Sequence, residues 1–150
     1  MRREDFTLFH PLRVRWAEVD MQHVVFNANY LMYFDVAIAE YWRAIASGAA
    51  RDFHDEYMRL YSAKATIEYH ASARYDQELE IGCRLARLGR SSLTFAFGIW
   101  RESEHLVSGE LVYVHVEAGA SKGTPIPERL RDAMLAYERV APEVPAGTSS

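Results

Sequence analysis

Cysteine is almost absent from this sequence. Cys83 stands alone among 150 residues, so no intrachain disulfide can form and no multi-cysteine metal site can be built. A lone thiol suits a reducing compartment, and the cytoplasm is the expected location. Excess positive charge is missing too. The 17 Lys and Arg against 21 Asp and Glu leave a formal charge of −4, which gives no overall field favouring nucleic acid. No stretch approaches the roughly 18 uninterrupted apolar residues of a membrane span. The opening MRREDFTLFH has basic residues with no apolar run behind them, unlike a signal peptide. The six histidines, at 10, 23, 54, 70, 105 and 115, fall at no metal-ligand spacing, and no His-Glu-x-x-His occurs. A Gly-x-Ser-x-Gly elbow, a Walker loop and a dinucleotide fingerprint are also missing. Zinc, serine-hydrolase, nucleoside-triphosphate and DNA readings therefore lose their support. No metal and no cofactor are expected.

What is present describes one globular domain. Apolar residues make up 49% of the chain and charged residues 25%, enough for a substantial core at this length. Residues 1–141 are expected to form a single domain, with 142–150 (PEVPAGTSS) as a flexible tail.

Periodicity predicts the elements. Residues 9–16 read as a first strand with Leu12, Val14 and Trp16 on one face. Residues 28–46, ANYLMYFDVAIAEYWRAIA, have helical length and hold neither Gly nor Pro, and Ser47-Gly48 supplies a stop. Apolar side chains point in nearly every direction around that helix, so something must wrap it. Alternating stretches at 64–74, 78–88, 92–101 and 105–117 supply the wrapper, joined by short polar turns that favour antiparallel neighbours. Residues 127–140 read as a closing helix with Pro127 in its first turn. The fold class is α+β, with one long buried helix held in a curved antiparallel sheet. Uncovered edges of such a sheet predict a homodimer or homotetramer.

The chemistry concentrates in residues 14–42, VRWAEVDMQHVVFNANYLMYFDVAIAEYW. Arg15, Trp16, Glu18 and Asp20 end the strand. Val24, Val25 and Phe26 follow in a loop, and Asn27 and Tyr30 open the helix, with Leu31, Tyr33 and Phe34 after them. This pattern resembles the 4-hydroxybenzoyl-CoA thioesterase family of hotdog proteins, in the branch of the Tol-Pal-associated acyl-CoA thioesterases. The likeness continues more loosely through Ile67-Glu68-Tyr69, the Gly89-Arg90-Ser91-Ser92 turn and residues 122–127. The resemblance implies a hotdog fold and hydrolysis of an acyl-CoA thioester at a site between subunits. It implies that the aspartate at the position of Asp20 acts as nucleophile or general base. The backbone N–H seven residues later, that of Asn27, would polarise the carbonyl.

Elementary chemistry asks for the same parts. A thioester carbonyl under attack develops an oxyanion, so it needs a base or nucleophile and donors aimed at that oxygen. The first N–H groups of a helix lack intrahelical partners, and the helix dipole favours negative charge there. Asn27 is also a natural cap. The competing reading is that Asp20 merely caps a turn. Two departures from the family pattern stand out. Glycine is common at the position of His23, and histidine at that of Asn27. His23 either accepts a left-handed backbone or marks a changed loop; its ring can orient water or the carboxylate, and a solvent-facing loop histidine is the competing reading. Asn27 cannot shuttle a proton at neutral pH.

Further candidates lie elsewhere. Arg90, Ser91, Ser92 and Lys122 suit the phosphates of CoA, and a solvated polar turn is the equal competing reading. Phe26 and Tyr30 are candidates for substrate contact, although aromatic residues at helical spacing are usually core. Glu40 is a secondary carboxylate. The leading expectation is a thioesterase whose substrate is an acyl-CoA, or the same acyl group on acyl carrier protein. The alternatives are a hotdog protein that binds an acyl thioester without turnover, and a different hotdog enzyme such as an acyl-CoA dehydratase.

Overall fold

The computed structural model describes residues 1–47 and 53–146. Strand β1 (Leu8–Arg13) is followed by the long helix α1 (Asn29–Ser47) and a short helix α2 (His54–Tyr57). Then come β2 (Leu60–Tyr69), β3 (Glu78–Leu88), β4 (Ser92–Arg101), β5 (Glu104–His115) and a closing helix α3 (Glu128–Tyr137). The five strands form one antiparallel sheet in the order β1-β3-β4-β5-β2. Helix α1 lies across it, chiefly on β3 and flanked by β1 and α3. This is the hotdog arrangement that the sequence leads one to expect.

Apolar alternation on the strands meets the apolar face of α1, which builds the core. Tyr33, Phe34, Ala37 and Tyr41 are fully buried, as are Leu79, Ile81 and Leu85 of β3 and Phe95 and Phe97 of β4. Phe34 stacks on Phe97 with ring centroids 4.4 Å apart. Gly109 of β5 makes room for that stack. A Cβ there would lie 2.5 Å from the Phe34 ring and 2.9 Å from the Thr66 carbonyl oxygen. Gly109→Ala is therefore expected to lower stability by about 1–3 kcal/mol, the usual scale for overpacking. A shift in the urea midpoint at constant m-value checks it.

Several elements depart from the sequence-based expectation. Strand β1 stops at Arg13, and the chain tightens into a 3-10 turn at Trp16–Glu18. Trp16 therefore leaves the core and is 78% exposed, although Val14 stays buried. Strand β2 runs 60–69 rather than 64–74, with an irregularity between Ser62 and Lys64. It is an edge strand, and most of its residues are exposed. Helix α1 is not wrapped all round, since Leu31, Met32, Asp35, Ala39 and Arg43 leave one stripe open. The expected tail does not come free at 142. The Glu143 N–H donates to the Ala86 carbonyl, and its own carbonyl accepts from the Leu88 N–H, extending the sheet beside β3. Gly48 and residues 147–150 lie outside the described residues.

Candidate active site

Between the 3-10 turn and α1 the chain folds back in a miniature hairpin. The Asp20 N–H donates to the Val24 carbonyl and the His23 N–H to the Asp20 carbonyl, both at 2.9 Å. Val19 bridges Val25, and Phe26 N–H reaches the Glu18 carbonyl at 2.9 Å. This is a three-residue hairpin loop, whose last position takes a left-handed backbone. His23 fills it with φ of 65°. The left-handed conformation explains why glycine suits this position, and His23 accepts it. The hairpin is pinned to the segment before β3 by a Val24–Arg74 bridge and by Val25 N–H to the Ala73 carbonyl.

Asp20 opens the turn. Its Oδ1 accepts from the Gln22 N–H at 2.8 Å, which fixes the side chain. A cavity of about 590 Å³ beside it is lined by Trp16, Val19, Asp20, Met21, His23 and Tyr75. The Trp16 and Tyr75 rings meet edge to face at 6.4 Å. Asp20 and His23 are thus brought to one apolar cavity as its polar groups. Little in the sequence signals these lining residues: Trp16 reads as part of a strand's apolar face, Tyr75 falls in a short polar turn, and Met21 lies in an irregular segment. All three are exposed in the single chain.

Asn27 follows the base of the hairpin. Helix α1 opens at Asn29, so Ala28 takes the capping place and Asn27 sits one residue farther out. The expected Asn27 side-chain cap is not made. Instead the Asn27 carbonyl accepts from the Tyr69 hydroxyl at 3.1 Å. Its N–H finds no acceptor among the described residues. That leaves a backbone donor at the positive end of α1.

The remaining candidates divide. Phe26 is half exposed, at the hairpin base rather than on the cavity wall. Tyr30 is buried, its hydroxyl accepting from the Ala73 N–H at 3.0 Å, so within one chain it braces the hairpin's support. Glu40 pairs with Arg43 on the same helix, one turn along. Arg90, Ser91, Ser92 and Lys122 do come together. The Ser91 carbonyl accepts from the His115 N–H at 2.7 Å and the Arg90 carbonyl from the Ile126 N–H at 2.9 Å. Gly123 abuts Ser91 so closely that a Cβ would sit 2.9 Å from its Oγ. This cluster lies at the far end of β3 from Asp20, however. Eleven residues of strand put the two roughly 30 Å apart within a chain.

Comparison with known proteins decides the family. The thioesterase superfamily model matches residues 22–108, more than half of the chain. The chain belongs to the thioesterase superfamily. Among relatives of this superfamily chain, the acyl-CoA thioester hydrolase YbgC of Escherichia coli is 29% identical over 126 residues, covering 83% of this chain and 93% of its own. A Thermus thermophilus thioesterase solved with coenzyme A and Zn superposes with a TM-score of 0.79 at 27% identity, over 90% of this chain and 96% of that one. The PA5185 protein of Pseudomonas aeruginosa superposes with a TM-score of 0.74 at 29% identity, over 93% and 96%. Among the described residues, no helix of this superfamily member is long and apolar enough to cross a membrane. No group of three or more His, Cys, Asp or Glu among them is placed to hold a metal ion.

Proposed function

We propose that this protein hydrolyses acyl-CoA to a free acid and CoA, with Asp20 as the reacting carboxylate. The observation that supports the reading is the hairpin itself, which sets Asp20 on the wall of an apolar cavity and leads straight into Asn27, whose N–H finds no acceptor among the described residues. Asp20 either takes a proton from water attacking the thioester carbon or attacks that carbon itself. The carbonyl oxygen gains negative charge, and the Asn27 N–H at the helix N-terminus stabilises it. Collapse breaks the C–S bond, and the CoA thiolate leaves and takes up a proton. On the water route this gives the free acid directly. On the nucleophilic route it leaves an anhydride between Asp20 and the acyl group, which water hydrolyses to free acid and regenerated Asp20. The names of the relatives and the CoA in the Thermus thermophilus structure support this substrate class. The cytoplasm suits an enzyme whose one thiol, Cys83, is unpaired.

The complete site is shared by two chains. Strand β2 is an unpaired edge, and Tyr61 and Tyr69 on it and Leu31 and Met32 on α1 remain exposed. Such an edge with apolar flanks favours pairing with a second copy. Within one chain, the Tyr69 end of β2 touches Asn27, while the Leu60 end pairs with His115 beside Ser91. Antiparallel pairing of β2 with its copy about a two-fold axis sets these two ends against each other. The Arg90-Ser91-Ser92 and Lys122 cluster of one chain then faces the Asp20 hairpin of the other, which removes the 30 Å obstacle. There the basic and hydroxyl groups hold the CoA phosphates.

Subunit mixing tests this reading. Asp20→Asn and the double variant Arg90→Glu, Lys122→Glu are each expected to release little thiol. Refolded together in equal amounts, they are expected to regain about a quarter of native activity, because half of the dimers then hold one intact site. No recovery would place both clusters in one chain's site or in separate functions.

A further inference from the structure

Glu18 carries the motif's other carboxylate, and it is buried, at 4% exposure. Its Oε1 accepts from the Arg15 backbone N–H at 2.8 Å and from the Tyr33 hydroxyl at 3.0 Å. Its Oε2 accepts from the Arg15 guanidinium, with Nε at 2.9 Å. Burial opposes ionisation of this carboxyl, but the Arg15 and Tyr33 donors outweigh burial and hold its pKa below the ordinary carboxylate value. The Tyr33 hydroxyl is pushed up by burial first and by Glu18 second, so it remains a donor. The Glu18 main-chain carbonyl works in parallel. It accepts from the Phe26 N–H and from the Asn29 side-chain amide, both at 2.9 Å.

These contacts place one residue at the junction of three pieces. The 3-10 turn is held through Arg15, helix α1 through Tyr33 and Asn29, and the return limb of the hairpin through Phe26. Asp20 follows Glu18 by two residues, and Asn27 follows Phe26 by one. Both groups that act on the thioester therefore hang from this junction. A core that needed only filling would be served by an apolar side chain of the same size, and an ion pair whose Arg15 end lies in solvent adds little stability by itself. An ionised clamp fixes distance and direction, which a proton-transfer geometry requires.

We propose that Glu18, locked by Arg15 and Tyr33, is a positioning residue that sets the Asp20 carboxylate in register with the helix N-terminus. The inference rests on the thioesterase reading above and concerns a residue that does not itself touch the substrate.

Two near-isosteric variants test it. Glu18→Gln removes the charge, and Tyr33→Phe removes one donor. Each is expected to lower kcat about 10-fold with KM within about 3-fold of native, the pattern of misplaced reacting groups. Together they are expected to cost little more than the larger single effect, because they break one device. Placed on Asp20→Asn, Glu18→Gln is expected to cause no further loss. A second readout needs no turnover. Hydrogen exchange at the Asp20, His23 and Phe26 amides is expected to quicken at least about 10-fold in Tyr33→Phe, while β3 and β4 amides keep native rates. Native kcat in a folded variant, or an equal further loss on Asp20→Asn, would overturn the proposal. Should Glu18→Gln not fold, Tyr33→Phe carries both readouts alone. If the native protein turns over no acyl-CoA, the parent reading has failed. Unchanged exchange at Asp20 and His23 in Tyr33→Phe would then overturn the clamp as well.

Discussion

Asp20→Asn is expected to lower acyl-CoA turnover by about 10²-fold or more, the scale of losing a positioned acid–base or nucleophilic group. The substitution is close to isosteric. Its amide oxygen can still accept from the Gln22 N–H, the hydrogen bond that holds the Asp20 side chain among the described residues, at 2.8 Å. The hairpin should therefore keep its shape, with Val24 and His23 still tied to residue 20 through main-chain bonds. What disappears is the negative charge that attacks the carbonyl or takes the proton of water. CoA binding and the thermal midpoint should stay near native, which separates lost chemistry from lost structure. Near-native turnover in the variant would reduce Asp20 to a turn-former, and the non-catalytic binding reading would move ahead.

The second large effect concerns stability against pH and arises at Glu138, at the end of α3. Its side chain is buried, Oε1 accepts from the Leu85 N–H at 2.9 Å, and Oε2 has no partner among the described residues. Burial raises its pKa from 4.5 to about 7, against the lowering effects of the Leu85 N–H, Arg84 and Tyr41. The folded state thus binds the proton more tightly than the unfolded chain. Its contribution to stability is greatest below pH 4.5, falls as pH rises to 7, and levels off above that. The full difference amounts to about 3 kcal/mol. Glu138→Gln keeps an acceptor for the Leu85 N–H and has no charge to bury. Urea unfolding of both proteins is expected to show a gap that widens by about that amount in favour of the variant between pH 4.5 and 8. A gap that stays constant across the window would contradict a buried, titrating Glu138.

How much of this was legible in the sequence depended on periodicity. Helix α1 and strands β3, β4 and β5 emerge within a residue or two because their apolar positions repeat at the spacing of their own geometry. Strand β1 misled because Leu12, Val14 and Trp16 alternate in sequence while the backbone does not continue. The Arg15 N–H finds the Glu18 carboxylate instead, and the turn swings Trp16 outward. The Arg-x-x-Glu spacing was the available sign of that turn. Strand β2 was placed late because its break between Ser62 and Lys64 interrupts alternation, and an edge strand has weak demands on either face. The open stripe of α1 was hidden for a related reason. Leu31 and Met32 are apolar, yet the described residues leave each of them more than a third exposed. Asp20 is a candidate through its motif alone, and only the fold could show Glu18 buried two residues before it. Sequence also grouped Asp20 with Arg90, Ser91, Ser92 and Lys122, and it carried no measure of the strand length that separates them.

The most direct test is free-thiol release by the native protein from a panel of acyl-CoAs with aromatic, short branched and medium straight chains. The account expects steady turnover of at least one member, and no hydration when an enoyl-CoA is offered instead. CoA or acyl-CoA that binds without release of thiol from any member would contradict it.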